Sequence, residues 1–138
     1  MTRVAITQSE GETIAIGRQL GAALPMEATV LLRGELGAGK TAFVRGLAEG
    51  MGVATEEESS PTFTLVQQYR GALPLFHVDL YRVSSVEADD LGLDELNEQG
   101  VVAIEWAEKL SRMPEGAIDV QLDDLGGDTR RVTIVTPD

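Results

Sequence analysis

One short segment constrains this chain more than any other. Gly34-Glu35-Leu36-Gly37-Ala38-Gly39-Lys40-Thr41 sits between the apolar run at residues 28–32 and a helical pattern over residues 41–51. It fits G-x-x-x-x-G-K-[ST] in a strand–turn–helix context. Such a loop wraps phosphate oxygens with inward-pointing backbone N–H groups, and glycine permits both the dihedrals and the close approach. The following helix adds the positive end of its dipole. Residues Gly34, Glu35, Leu36, Gly37, Ala38, Gly39, Lys40, Thr41 and Ala42 are therefore expected to cradle phosphates. Lys40 would reach the β and γ phosphates and Thr41 would give its hydroxyl to Mg²⁺. Lysine occurs only twice in the chain, at Lys40 and Lys109, and one of the two falls in this turn.

The rest of the pattern surrounds that loop with an α/β domain. Residues 3–7 read as a short strand. Ser9 and Glu12 read as a capping box, the serine oxygen capping free N–H groups while the glutamate reaches back. The helix that follows runs over 13–24 and ends at Pro25. Residues 28–32 are apolar throughout, as in a strand buried on both faces. Phe43, Val44, Leu47 and Met51 form one stripe of the helix after the loop. A polar loop spans 52–63. Strands are expected at 64–69 and 73–80, joined by a turn at 70–73. A charged helix over 87–96 comes next, then a second apolar strand at 100–106 and a short helix at 107–113. Residues 117–125 alternate strictly, with Ile118, Val120 and Leu122 opposed to Asp119, Gln121 and Asp123. Residues 130–136 alternate again after a turn at 126–129, so an antiparallel hairpin closes the chain. No repeat or linker interrupts residues 1–138, and they read as a single P-loop NTPase-like domain. Its fold class is α/β, with a mixed parallel/antiparallel sheet and a C-terminal antiparallel hairpin.

Composition narrows the chemistry. The absence of cysteine excludes disulfides, thiolate catalysis and cysteine zinc sites, and the single histidine, His77, excludes a multi-histidine metal site. No run of about 18 apolar residues suggests a membrane span, and the N-terminal residues lack the apolar core of a secretory signal. A cytoplasmic location is the expectation. Lys and Arg total 11 against 23 Asp and Glu, a net charge of −12. Nucleic-acid binders concentrate basic charge, so tight unaided binding to tRNA is not expected.

A phosphate loop of this kind needs a second metal anchor at the end of a neighbouring strand. Two apolar strands end in an acid, at Asp79 and at Glu105. His77 lies two residues before Asp79 and shares its sheet face; its plainer reading is a packed structural histidine. Trp106, directly after Glu105, reads as core. Pro61 holds Ser60 extended; Thr62 beyond it is a candidate to sense a γ phosphate as switch loops do, though a turn that merely starts a strand is its plainer reading.

The segments "GELGAGKT", "SPTFTLV", "HVDLYR" and "IEWAEKL", in this order within one small domain, resemble the TsaE family, also called YjeE. The resemblance covers nearly the whole chain. It implies a bacterial P-loop ATPase using ATP/ADP and Mg²⁺, required for threonylcarbamoyladenosine synthesis in ANN-decoding tRNAs. It also implies work alongside TsaD, which transfers the threonylcarbamoyl group, and TsaB. By position it gives Lys40 and Thr41 the phosphate and Mg²⁺ roles, Glu105 the metal-linked acid, Asp79 an acid needed for hydrolysis and Thr62 a switch-loop place. Family adenine sites involve the start of the chain and its late strands, which points to Glu10 and Arg131. Glu35 stands where aspartate is common and Ala42 where a second threonine is common. Ala42 offers only its backbone N–H to an α phosphate. An acidic face, with Glu56–Glu58 as one part of it, could dock on a basic partner.

Three other readings share the phosphate loop. A small-molecule kinase needs an acceptor site and an arginine-bearing lid, and no spare segment supplies one. A GTPase needs a guanine-reading N-K-x-D sequence, and none occurs. A non-hydrolysing, nucleotide-gated regulator overlaps most with the ATPase. The general base is open between Asp79 and Glu105. Arg82 is a candidate arginine finger, though a structural salt bridge is its plainer role.

Overall fold

The computed structural model describes residues 1–35, 37–53, 58–59 and 66–137. Eight strands form one sheet in the order β1-β8-β7-β2-β6-β5-β4-β3. These are β1 Thr2–Thr7, β2 Thr29–Arg33, β3 Glu58–Ser59, β4 Val66–Tyr69, β5 Leu75–Asp79, β6 Val101–Glu105, β7 Ile118–Gly126 and β8 Thr129–Val135. The middle is parallel: β2 lies between β6 and β7, and β5 pairs with β6. Both flanks are antiparallel, through β4–β5 and β3–β4 on one side and β7–β8 and β1–β8 on the other. The sheet is mixed and the hairpin C-terminal, as the alternation of residues 117–136 predicts.

The central strands read as continuous apolar runs because both faces are covered. Helices α1 (Glu10–Ala23) and α2 (Lys40–Met51) cover one face, where Phe43, Val44 and Leu47 meet Val30, Leu32, Leu75, Val101 and Ala103. Helices α3 (Ser85–Asp89) and α4 (Leu93–Gln99) cover the other, against Leu31, Phe76, Val78, Val102 and Ile104. Successive residues of β2, β5 and β6 thus point to opposite cores. Among the described residues no helix is long and apolar enough to cross a membrane.

Helices α1 and α2 touch through glycines. An added Cβ would lie 2.4 Å from the Phe43 carbonyl oxygen at Gly17, and 2.2 Å from the Ile14 carbonyl oxygen at Gly46. Gly21 and Gly50 meet the opposing backbone as closely. Arg18 pairs with Glu49 at 2.9 Å along the seam. This contact fixes α2, and with it the phosphate loop at its N-terminus.

Several local expectations shift. Ser9 caps α1 by accepting from Glu12 N at 3.2 Å, but the Glu12 carboxylate accepts from Gln8 N at 2.7 Å, one residue before the cap. The helix expected over 87–96 is two, because Gly92 takes a left-handed conformation (φ 73°) between α3 and α4. A full capping box, Ser84 with Glu87, starts α3 earlier than the pattern suggests. The helix expected at 107–113 is a single 3₁₀ turn, Ala107–Lys109; Leu110 leaves it extended and packs under α3 and α4. Within the polar loop expected at 52–63, Glu58 and Ser59 pair with Gln68 and Gln67 as an edge strand.

Candidate nucleotide site

The phosphate loop joins the C-terminal end of β2 to α2. Gly34, Gly37 and Gly39 have φ of 146°, 84° and 102°, values that side-chain-bearing residues rarely adopt. Gly34 also passes β7 so closely that a Cβ would sit 2.5 Å from the Leu122 carbonyl oxygen. Gly39 is the N-cap of α2 and supplies no side-chain cap, so first-turn N–H groups remain for an incoming anion. Leu36 lies outside the described residues.

Lys40, expected as the phosphate ligand, is buried, with 6% of its surface exposed. Its Nζ donates to the Gly34 carbonyl oxygen at 2.8 Å, lies 3.4 Å from Glu105 Oε1, and sits 5.4 Å from the centre of the Trp106 ring. The other Glu105 oxygen accepts from His77 Nε2 at 2.6 Å. His77 is buried and Trp106 packs against the second core, as their plainer readings expect, and both also touch the Lys40–Glu105 pair. Trp106 is only half-buried, has a left-handed backbone (φ 63°) and packs against Tyr81 with ring centres 5.0 Å apart.

Asp79 and Glu105 are register partners on β5 and β6, so the sheet places the two acids side by side. One Asp79 oxygen accepts from Tyr81 N at 3.0 Å, and among the described residues the other has no partner. Thr41 is exposed on the first turn of α2. The described residues hold no group of three or more metal-ligating side chains. Mg²⁺, which keeps several waters and takes one or two carboxylates plus phosphate oxygens, does not need one. Thr41 and Asp79 each have an oxygen without a partner among the described residues, whereas both Glu105 oxygens are engaged, by Lys40 and by His77. Thr62 lies outside the described residues, as do Glu56 and Glu57.

Two cavities flank the loop. One of about 360 Å³ is lined by Arg33, Glu35, Lys40, Trp106, Glu108 and Gln121. The other, about 120 Å³, is lined by Glu10, Thr13, Gly37, Ala42, Asp128 and Arg130. Glu10 thus stands beside the loop. Arg131 faces away and pairs with Asp123 at 3.3 Å. Its neighbour Arg130 takes the place at the loop, donating to Gly37 O at 3.4 Å and to Gly127 O at 2.7 Å. Strand alternation separates the two arginines, and only the register of β7 and β8 says which one faces α2. Arg82 is exposed and makes no ion pair among the described residues, so the expected salt bridge is not found. A larger cleft of about 840 Å³ lies between α3–α4 and residues 110–115. It lacks the phosphate loop and the buried lysine, and volume alone does not make it the site.

Burial of Glu105 pushes its pKa upward. The His77 hydrogen bond and charge, together with the Lys40 ammonium, outweigh that and hold it below the ordinary value of 4.5. A carboxylate depressed by folding stabilises the fold above its unfolded pKa, and that contribution is lost as pH falls through the folded value. The difference in melting temperature between the parent and Glu105→Gln is therefore expected to be largest at neutral pH. It should shrink as the pH falls below the ordinary carboxylate value of 4.5, in chelator-containing buffer. A difference independent of pH would show that the charge of Glu105 contributes nothing to stability.

The chain is similar to known proteins over most of its length. The family model described as threonylcarbamoyl adenosine biosynthesis protein TsaE matches residues 7–132. A tRNA threonylcarbamoyladenosine biosynthesis protein TsaE from Bacillus subtilis is 41% identical over 130 residues, covering 92% of this chain and 81% of that protein. One from Treponema pallidum is 41% identical over 132 residues, with 94% and 97% covered. A crystal structure of YdiB from Bacillus subtilis superposes with a TM-score of 0.77 at 34% identity, covering 99% of this chain and 86% of that one. With the phosphate loop, the paired strand-end acids and the mixed sheet all in place, the match over nearly the whole length leads to one conclusion: this chain belongs to the TsaE family.

Proposed function

We propose that this protein binds and hydrolyses ATP with Mg²⁺ in tRNA threonylcarbamoyladenosine biosynthesis, in support of a complex of TsaD- and TsaB-type proteins. The observation that carries the reading is the buried Lys40–Glu105 pair at the mouth of a glycine loop that ends at a helix N-terminus. A buried lysine resting on a carbonyl oxygen at 2.8 Å and a carboxylate oxygen at 3.4 Å can exchange those partners for phosphate oxygens, which accept from an ammonium in the same way. The loop N–H groups and Lys40 would bind the β and γ phosphates. Thr41, Asp79 and Glu105 would hold Mg²⁺, which supplies charge neutralisation at the phosphoryl group when bound. Asp79, one of whose oxygens has no partner among the described residues, would orient the attacking water or a metal-bound one. The nucleoside would extend towards the cavity lined by Glu10 and Arg130 beside the loop.

Phosphate release from ATP tests this, by the chain alone and with purified TsaB and TsaD. Weak turnover alone and strong stimulation by the partners are expected. Tight nucleotide binding without release in either condition would instead favour a nucleotide-gated regulator of the same complex. A phosphorylated metabolite would favour a kinase.

A further inference from the structure

His77 has a structural role available to it, since it is buried in the sheet with 8% of its surface exposed. Its polar contact argues for more. His77 is the register partner of Ala103, whose small side chain leaves room on β6 for the Glu105 carboxylate to turn back along the strand and meet the imidazole. An ionised carboxylate only accepts, so His77 Nε2 carries the hydrogen. The contact at 2.6 Å is shorter than the 3.4 Å between Glu105 and Lys40. The histidine therefore holds the carboxylate more firmly than the lysine does.

We infer that His77 is a positioning residue for the nucleotide site: by occupying one oxygen of Glu105 it keeps that carboxylate from closing fully on Lys40, and so leaves Lys40 free to be taken by phosphate. Without the imidazole, a buried carboxylate with one oxygen unpaired would turn towards Lys40, the cation it touches among the described residues. The Lys40–Glu105 pair would tighten, and a nucleotide would have to break a stronger contact to recruit the lysine. This role of His77 rests on the proposed binding of ATP at the loop.

The test is an ATP titration followed by the fluorescence of Trp106, the single tryptophan of the chain, with melting curves alongside. His77→Phe keeps ring volume and removes the donor, and His77→Gln keeps a donor of similar reach. Should the phenylalanine variant not fold, His77→Asn, whose amide is too short to reach Glu105, takes its place. His77→Phe is expected to bind ATP about tenfold more weakly than the parent, in line with loss of a charge-assisted hydrogen bond. His77→Gln should stay within about threefold. In a Glu105→Gln background the phenylalanine substitution should add nothing, because its effect runs through Glu105. Parent-like binding by His77→Phe, equal loss in His77→Gln, or the same loss persisting in the Glu105→Gln background would each overturn the inference. A parent chain that binds no ATP would overturn the nucleotide reading itself, and the inference with it.

Discussion

Lys40→Ala is expected to abolish partner-stimulated ATP hydrolysis, lowering turnover by at least about 100-fold. The magnitude follows from position. Lys40 is the one lysine at the loop, and it is buried where its charge is little screened. Phosphates that meet alanine there would face Glu105 with no intervening cation, so binding should fall together with turnover. The fold should persist, since Glu105 retains its bond to His77 and the loop its glycines. Lys40→Arg is not expected to rescue the activity. The space between the Gly34 carbonyl, Glu105 and Trp106 takes a slender ammonium, and a planar guanidinium has a different shape and donor geometry. Phosphate release and Trp106 fluorescence on the same samples separate lost chemistry from lost binding. Parent-like turnover in Lys40→Ala would remove the lysine from the mechanism.

The largest loss of stability is expected from Gly46→Ala. Alanine is the better helix former by about 1 kcal/mol, so propensity alone predicts a gain. Packing decides otherwise. The new methyl would lie 2.2 Å from the Ile14 carbonyl oxygen and 3.0 Å from Arg18 N and Gly17 Cα, all backbone atoms of α1 that cannot turn aside. Separating the helices is expected to cost about 3 kcal/mol net, a fall in melting temperature on the order of 10 °C for a chain of this size. Because α2 carries the loop, nucleotide affinity should fall as well. Gly11→Ala is the control: its Cβ would meet only Ser9 Oγ at 3.8 Å, so the same exchange there should stabilise by roughly 0.5 kcal/mol. Equal effects at the two glycines would mean that α1 and α2 do not lie in close backbone contact.

Much of the site is legible in the amino-acid sequence. The loop from Gly34 to Thr41 declares itself because phosphate binding needs glycine dihedrals and a lysine at one fixed spacing. Asp79 and Glu105 show as acids at the ends of apolar runs, since strand ends in a parallel sheet meet at one edge. His77 and Trp106 are harder. Each taken singly looks like a core residue, and what makes them part of the site is a contact across β5 and β6 or across the loop, which no local pattern encodes. Arg130 and Arg131 are adjacent and chemically identical, so composition cannot choose between them. The Ser84–Glu87 capping box, by contrast, is a local signal, but the charged run that follows it suggests a later helix start.

The phosphate loop, the two strand-end acids, the mixed α/β class and the family can be read from the chain alone, because each depends on residue type at short fixed spacings or on order along the chain. Three-dimensional packing was needed to see that Lys40 rests on Glu105, that His77 holds the other oxygen of that carboxylate, that Arg130 rather than Arg131 faces the loop, and that four glycines let α1 lie against α2. Those facts depend on strand register and on the distance between helix axes. Both are set by how the two cores pack, through pairs of residues far apart in the chain whose contacts carry no periodicity of their own.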